Sequence, residues 1–221
     1  MRFLLRFKRE RYGSHRCQRL DVRGSGPPVV VLHGGSWTRR YGKGVTSFVV
    51  ADLARRGFTS INAEYRRVGL DGGYPATLED AVAATAWAVE RFGEVTLLGH
   101  SAGGQLALYA ASKVPVARVV ALAAPCDLER WHSPAVHAFL GGTPEQVPER
   151  YADASPVRLA PLGVPTLLVH GADDATVTVE HSRRYAKLAG DEVTYVELPS
   201  APHRSFVDPR TEAWEAAASW L

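Results

Sequence analysis

Residues 94–106 read Glu-Val-Thr-Leu-Leu-Gly-His-Ser-Ala-Gly-Gly-Gln-Leu, and the reading of this stretch decides the fold. Residues 95–98 form a short apolar run that predicts a buried strand, and residues 103–112 are compatible with a helix. Between them, Gly99-His100-Ser101-Ala102-Gly103 fits the pattern G-x-S-x-G. A strand that turns at once into a helix forces its corner residue into a strained conformation. Small residues two positions to either side let the two arms pass without clash. The Ser101 hydroxyl is then expected at the carboxyl edge of a sheet, with the amino end of the new helix aimed at the same place. A tight turn with a solvated serine is the plainer alternative, and the strand before and helix after weigh against it.

Outward from this corner, the pattern alternates. Residues 28–32 contain Val29-Val30-Val31-Leu32, a continuous apolar run suited to a strand buried on both faces of a parallel sheet, and His33-Gly34-Gly35-Ser36-Trp37 follows directly. Residues 12–22 predict an opening strand pair, and residues 23–27 a turn. Residues 45–56 carry Val45, Phe48, Val49 and Leu53 at helical spacing and close at Gly57. Residues 58–63 predict a strand that runs into Glu64-Tyr65-Arg66-Arg67. A glycine-rich loop over 69–75 leads to a helix over 78–92. Thr77 is its expected N-cap with Asp80 three residues on, and its inward stripe is Leu78, Val82, Thr85, Ala86 and Val89.

On the carboxyl side, strands are expected over 116–123, 165–169 and 193–198, with helices over 179–189 and 211–221. Residues 124–161 differ: rich in proline, glutamate and small residues, they hold only short helical pieces and are the one place for a small lid or cap. The alternation predicts an α/β fold, a doubly wound, mostly parallel sheet with right-handed crossovers, helices on both faces and a minimal cap. With no internal repeat and no linker, residues 1–221 read as one domain.

The 221 residues suffice for a sizeable core, and their apolar and charged content is that of an ordinary globular protein. No run approaches a membrane span. The basic stretch 2–11 contains the apolar patch Phe3-Leu4-Leu5 but lacks the longer apolar core and cleavage site of a signal peptide, so a cytoplasmic location is expected. The net charge of +3 is unevenly spread. The first 23 residues hold Arg2, Arg6, Lys8, Arg9, Arg11, Arg16, Arg19 and Arg23 against Glu10 and Asp21, which leaves the remainder net acidic. Such an arm could meet an anionic surface, but no nucleic-acid motif accompanies it, and no nucleic-acid partner is expected. Cys17 and Cys126 are too few and too far apart for a disulfide framework or a metal site. They fit a reducing compartment, and Cys126 reads as a packing residue.

Active sites in such sheets gather where strands end. Here the ends carry the His33 loop, Ser101, Asp173-Asp174 and His203, in the chain order serine, aspartate, histidine. A serine hydroxyl is a weak nucleophile at neutral pH. It needs an imidazole to take its proton and a carboxylate to fix that imidazole's tautomer. His203, in the loop after the last strand, is the candidate base. Asp173 and Asp174 compete as the acid, and register relative to His170 and Val177 favours Asp174, which leaves Asp173 to cap the loop. The oxyanion hole needs two converging N–H groups: Ala102 supplies one, and Gly35 or Ser36 the other. Trp37, Tyr41 and Tyr65 are candidates for the substrate pocket, each with an ordinary core or rim role as the alternative. His33 and His100 read as structural. No spacing suggests a metal, and no cofactor is expected.

Taken together, His33-Gly34-Gly35-Ser36-Trp37, Glu64-Tyr65-Arg66, Tyr74-Pro75-Ala76 with Leu78-Glu79-Asp80, the Gly99–Gly104 corner, and His170-Gly171-x-x-Asp174-x-x-Val177 resemble the α/β-hydrolase superfamily, in its esterase/lipase and kynurenine formamidase-like branch. The resemblance runs from about residue 27 to the end. It implies Ser101, Asp174 and His203 as a triad and the His33 loop as oxyanion hole. Three departures stand out: Ser36 replaces the third glycine of a His-Gly-Gly-Gly form, Thr178 replaces a frequent proline, and Pro202 replaces a common glycine, which could shift the histidine loop.

The expected function is therefore a serine hydrolase of small carboxylic esters or amides, working through an acyl-enzyme. Arylformamidase activity on formylkynurenine is the enzymatic alternative, with an aromatic leaving group stacking on Trp37. A catalytically silent hydrolase fold used for binding is the alternative of another class, and an intact triad argues against it. Oligomeric state and natural substrate are not legible from the residues.

Overall fold

The computed structural model describes residues 7–221; Arg2, Arg6 and the Phe3-Leu4-Leu5 patch lie outside them. Eight strands form one sheet: β1 (Lys8–Arg11), β2 (Arg19–Arg23), β3 (Pro28–Leu32), β4 (Thr59–Glu64), β5 (Thr96–His100), β6 (Arg118–Leu122), β7 (Thr166–Gly171) and β8 (Val193–Leu198). Their order is β1-β2-β4-β3-β5-β6-β7-β8. The β1-β2 and β2-β4 pairs are antiparallel, and every other pair is parallel. The opening strand pair of the sequence is therefore present, displaced to either side of the 12–18 loop. The basic residues of β1 are engaged: Lys8 pairs with Glu10, Arg9 pairs with Asp21 at 3.6 Å, and Arg11 donates to the carbonyls of Ser14 and His15.

The run Val29–Leu32 shows why a parallel strand reads as continuously apolar. Successive side chains point to opposite faces. Val30 and Leu32 join a core with Ile61, Leu97, Val119 and Leu168. Val29 and Val31 join another with Leu98, Val120, Leu167 and Val169. Helices α2 (Ala76–Phe92), α3 (Ala102–Ala111) and α6 (Glu180–Ala189) cover the first face. Helices α1 (Ser47–Arg55) and α7 (Glu212–Ala218) cover the second. On that second face, Trp214 Nε1 donates to the buried carboxylate of Asp52 at 2.7 Å and ties α7 to α1. Among the described residues, no helix is long and apolar enough to cross a membrane.

Three local expectations are corrected. A 3₁₀ turn over Lys43–Thr46 precedes α1, so the helical phase begins later than the sequence suggests, and Phe48 is 75% exposed instead of inward. Helix α2 begins at Ala76, with Thr77 inside its first turn; the Thr77 hydroxyl donates to the Arg66 carbonyl and accepts from the Gly73 N–H. Asp80 does not close a capping box but holds Arg66 through its backbone N–H at 2.8 Å and its guanidinium at 2.7 Å. The inward stripe of α2 is Thr77, Leu78, Ala81, Ala84, Thr85 and Ala88, whereas Ala86 faces solvent.

Residues 124–161 contain α4 (Pro134–Leu140) and α5 (Pro148–Ala154). Their apolar side chains, including Val136, Phe139, Leu140 and Tyr151, are buried in the first core. The segment builds a wall of the molecule.

Candidate active site

The corner at Ser101 is as tight as the sequence demands. Ser101 has φ 54° and ψ −126°, a positive-φ conformation that only a well-supported non-glycine residue holds. The support comes from both sides: the Ser101 N–H donates to the Leu122 carbonyl at 2.8 Å, and the Ser101 carbonyl accepts from the Gly104 N–H at 2.8 Å. A Cβ on Gly99 would stand 2.0 Å from the Gly103 carbonyl oxygen, and one on Gly103 would stand 2.0 Å from that of Leu32. The glycines are thus where two backbones touch.

Three strand ends bring the side chains of Ser101, Asp174 and His203 together. His203 Nε2 lies 2.9 Å from Ser101 Oγ, and His203 Nδ1 lies 2.7 Å from Asp174 Oδ2. The other oxygen of Asp174 accepts the N–H groups of Thr176 and Val177 at 2.8 and 3.0 Å. Burial opposes ionisation of this carboxyl. The His170 ring 3.6 Å away, the hydrogen-bonded His203 ring and the Val177 N–H outweigh it and hold the group well below the usual carboxylate range. Asp173 instead accepts from Ser200 Oγ and the Ala201 N–H, both at 2.9 Å, and fastens the loop before His203. Pro202 does not displace that loop, because its carbonyl receives the Ser205 N–H and hydroxyl at 2.8 and 2.7 Å. Thr178 fills the place of the frequent proline and accepts the His181 N–H at 3.1 Å as α6 begins.

The His33 loop lies against the same corner. Gly35 has φ 122°, and a Cβ there would stand 2.4 Å from the Cβ of Tyr41; Ser36 follows with φ 53°. Ala102 opens α3, so its N–H has no carbonyl within the helix to bond. Behind the loop, His33 Nε2 meets Glu64 Oε1 at 2.9 Å, Arg67 closes on the same oxygen, and His33 Nδ1 donates to the Gly34 carbonyl at 2.7 Å. Burial, with Arg67 nearby, drives the His33 pKa down to about 3 despite the Gly34 bond. His100, buried where it borders the cavity beside Ser101, is pushed down to about 3 by burial and by His203, against the bond that its Nε2 donates to the His203 carbonyl at 2.7 Å. Both therefore serve as neutral hydrogen-bonding struts.

Ser101 and His203 open into a cavity of about 410 Å³, whose wall includes Gly34, Gly35, Ser36, Tyr41, Val45, Thr176, Arg204 and Val207. Of the three aromatic candidates, Tyr41 lines it. Trp37 does not: it is 1% exposed, stacked on Phe139 at 4.5 Å and bonded through Nε1 to Gln105 at 3.1 Å. Nor does Tyr65, which is fully buried, stacked on His33 at 4.2 Å and donating to the His33 carbonyl at 2.6 Å. No residue of 124–161 lines the cavity. Thr176, Arg204 and Val207 went unread in the sequence although each lies within four residues of Asp174 or His203; Val45 carried no signal. Among the described residues, no group of three or more His, Cys, Asp or Glu side chains is arranged to hold a metal ion.

Comparison with known proteins places this geometry in context. The BD-FAE family model matches residues 21–115, which include the His33 loop and the Ser101 corner. Esterase LipC of Mycobacterium tuberculosis is 27% identical over 239 residues, covering 89% of this chain and 59% of LipC. The probable carboxylic ester hydrolase LipM of the same organism is 25% identical, covering 83% of this chain and 50% of LipM. The chain thus spans between half and three-fifths of the length of these curated relatives. Among solved structures, a truncated carbohydrate esterase from gut microbiota superposes with a TM-score of 0.82 at 18% identity, over 96% of this chain and 93% of that one. A thermophilic esterase from the planctomycete Thermogutta terrifontis gives 0.78 at 19% identity, over 98% and 90%. The chain therefore has the α/β-hydrolase fold, and the relatives and solved structures it resembles are named as esterases.

Proposed function

We propose that this protein is a serine hydrolase of small carboxylic esters. The observation that carries the reading is the unbroken relay at the cavity floor: hydroxyl to imidazole at 2.9 Å, imidazole to carboxylate at 2.7 Å. Ser101 Oγ attacks the ester carbonyl while His203 Nε2 takes its proton, and Asp174 holds the imidazole in the required tautomer and stabilises the imidazolium that forms. The oxyanion of the tetrahedral intermediate lies against the N–H groups of Ala102 and of Gly35 or Ser36, each worth about 3 kcal/mol of barrier lowering. Collapse expels the alcohol, which leaves with the proton from His203. Water, deprotonated by the same imidazole, then attacks the acyl-Ser101 ester and frees the acid. Tyr41, Val45 and Val207 give the cavity an apolar side suited to a short acyl chain.

A fluorophosphonate probe tests the reading directly. Labelling of the wild type and loss of labelling in Ser101→Ala, with matching gain and loss of 4-nitrophenyl acetate turnover, is the expected result. No labelling of either protein overturns it and favours a binding role. The arylformamidase alternative loses its proposed stacking surface, because Trp37 is buried; turnover of formylkynurenine well above that of short aryl esters would restore it.

A further inference from the structure

Among the described residues, Arg204 is the one Lys, Arg, Asp or Glu side chain in the wall of the catalytic cavity, and it forms no ion pair. Its neighbours do not supply one: Asp208 is taken by Arg210 at 2.7 Å, and Asp174 is turned to His203 and the 176–177 backbone. A second cavity, of about 440 Å³, contains more cations; its arginines are paired with acids, whereas Lys187 forms no ion pair among the described residues. Asp127 stands 2.8 Å from Arg184 and 3.7 Å from Arg130, and Arg183 is bridged to Glu180 and Glu197. Arg204 thus borders the catalytic cavity as an unpaired cation, one residue from the candidate base.

We infer that Arg204 is a specificity residue that favours esters carrying a carboxylate or phosphate close to the scissile bond. This inference rests on the hydrolase reading above. A cation at a cavity mouth draws an anionic ligand toward the site and can hold it there with a charge-assisted hydrogen bond. Its guanidinium offers a planar fork matched to both anions. The attraction crosses a partly hydrated mouth, so it weakens with salt.

Two matched pairs of substrates test the inference and locate the anion. The pair 4-nitrophenyl hemisuccinate and 4-nitrophenyl butyrate carries the difference on the acyl side. The pair 4-acetoxybenzoate and its methyl ester carries it on the leaving group. Each neutral ester is the internal reference, so any slowing common to both members through a displaced His203 cancels from the ratio of kcat/KM. In at least one pair, the anionic-to-neutral ratio is expected to fall about fivefold in Arg204→Gln, the size of a partly exposed ion pair. It falls further in Arg204→Glu, and in the wild type it declines as salt is raised. Ratios unchanged in both variants and insensitive to salt overturn the role of Arg204 while leaving the hydrolase standing. Absence of turnover for all four esters, with no fluorophosphonate labelling, removes the hydrolase reading itself.

Discussion

His100 Nε2 donates to the backbone carbonyl of His203 across 2.7 Å, with the two imidazoles 4.7 Å apart. The residue before the nucleophile thus holds the main chain of the base. A base must sit within hydrogen-bond reach of the hydroxyl to accept its proton, and small displacements are costly in rate. His100→Phe is expected to lower kcat about tenfold, equivalent to 1.4 kcal/mol, with KM shifted by about twofold at most. His100→Gln, which keeps an N–H donor, recovers part of the loss. Steady-state kinetics on a short-chain ester read both numbers; a change confined to KM would mean that His100 shapes the pocket instead.

Adjacent aspartates divide two tasks. Asp174 faces the imidazole, and Asp173 faces Ser200 and the Ala201 N–H. Asp174→Asn keeps the shape but stabilises the wrong tautomer, and kcat/KM is expected to fall about 10³- to 10⁴-fold. Asp173→Asn loses only loop hydrogen bonds, costing about 1 kcal/mol of stability and about threefold at most in kcat/KM. Equal kinetic losses in the two variants would contradict the division.

The corner and the alternation of strands and helices are legible in the sequence because they depend on backbone sterics and on runs of apolar residues. Gly99, Gly103 and the valines of β3 announce their roles by residue type alone. The direction of a side chain at a strand end is a different matter. Trp37 follows Ser36 in a pair of positive-φ residues, and that local twist turns its indole away from the cavity onto Phe139. Nothing in the identities of Trp37 or Tyr65 records the twist. In α2 the buried face is built largely from alanines, which carry little periodic signal, so the sequence reading includes the exposed Ala86 and omits Ala81, Ala84 and Ala88, while Val82 and Val89 do pack at the margin of the first core.

Three buried histidines make stability fall in mild acid. Burial lowers the pKa values of His33 and His100 to about 3, and that of His181 to about 4. In the unfolded chain each titrates near its ordinary value, about 6.5. The unfolded state therefore binds more protons as pH drops below that value, and the folded state loses stability until its own pKa values are reached. Between pH 6.5 and 5 carboxylates are mostly ionised in both states, so histidines dominate the change. Each is expected to contribute up to about 1.4 kcal/mol per pH unit near the lower end of that window. Urea unfolding at pH 7, 6 and 5 reads the slope; a free energy flat over that range would show that these rings are solvated.

Gly103 and Leu32 decide whether the corner can close. An added Cβ on Gly103 would meet the Leu32 carbonyl oxygen at 2.0 Å and that of His33 at 2.6 Å. Both obstacles are main chain at the end of β3, where Leu32 is paired with Gly99. Neither can withdraw without opening the ladder on which Ser101 stands. Alanine would gain up to about 1 kcal/mol in helix propensity within α3. Overpacking against rigid backbone outweighs this, at about 3 kcal/mol or more. Gly103→Ala is therefore expected to lose at least about 2 kcal/mol net, read as a lower urea midpoint, and to lose fluorophosphonate labelling because the corner is displaced. Gly44→Ala is the matched control, since nothing lies within 4 Å of its Cβ position; its midpoint should change by less than about 0.5 kcal/mol. If Gly103→Ala matched that control in stability and labelling, strand and helix would not be in contact at this corner, and the strained serine would need another cause.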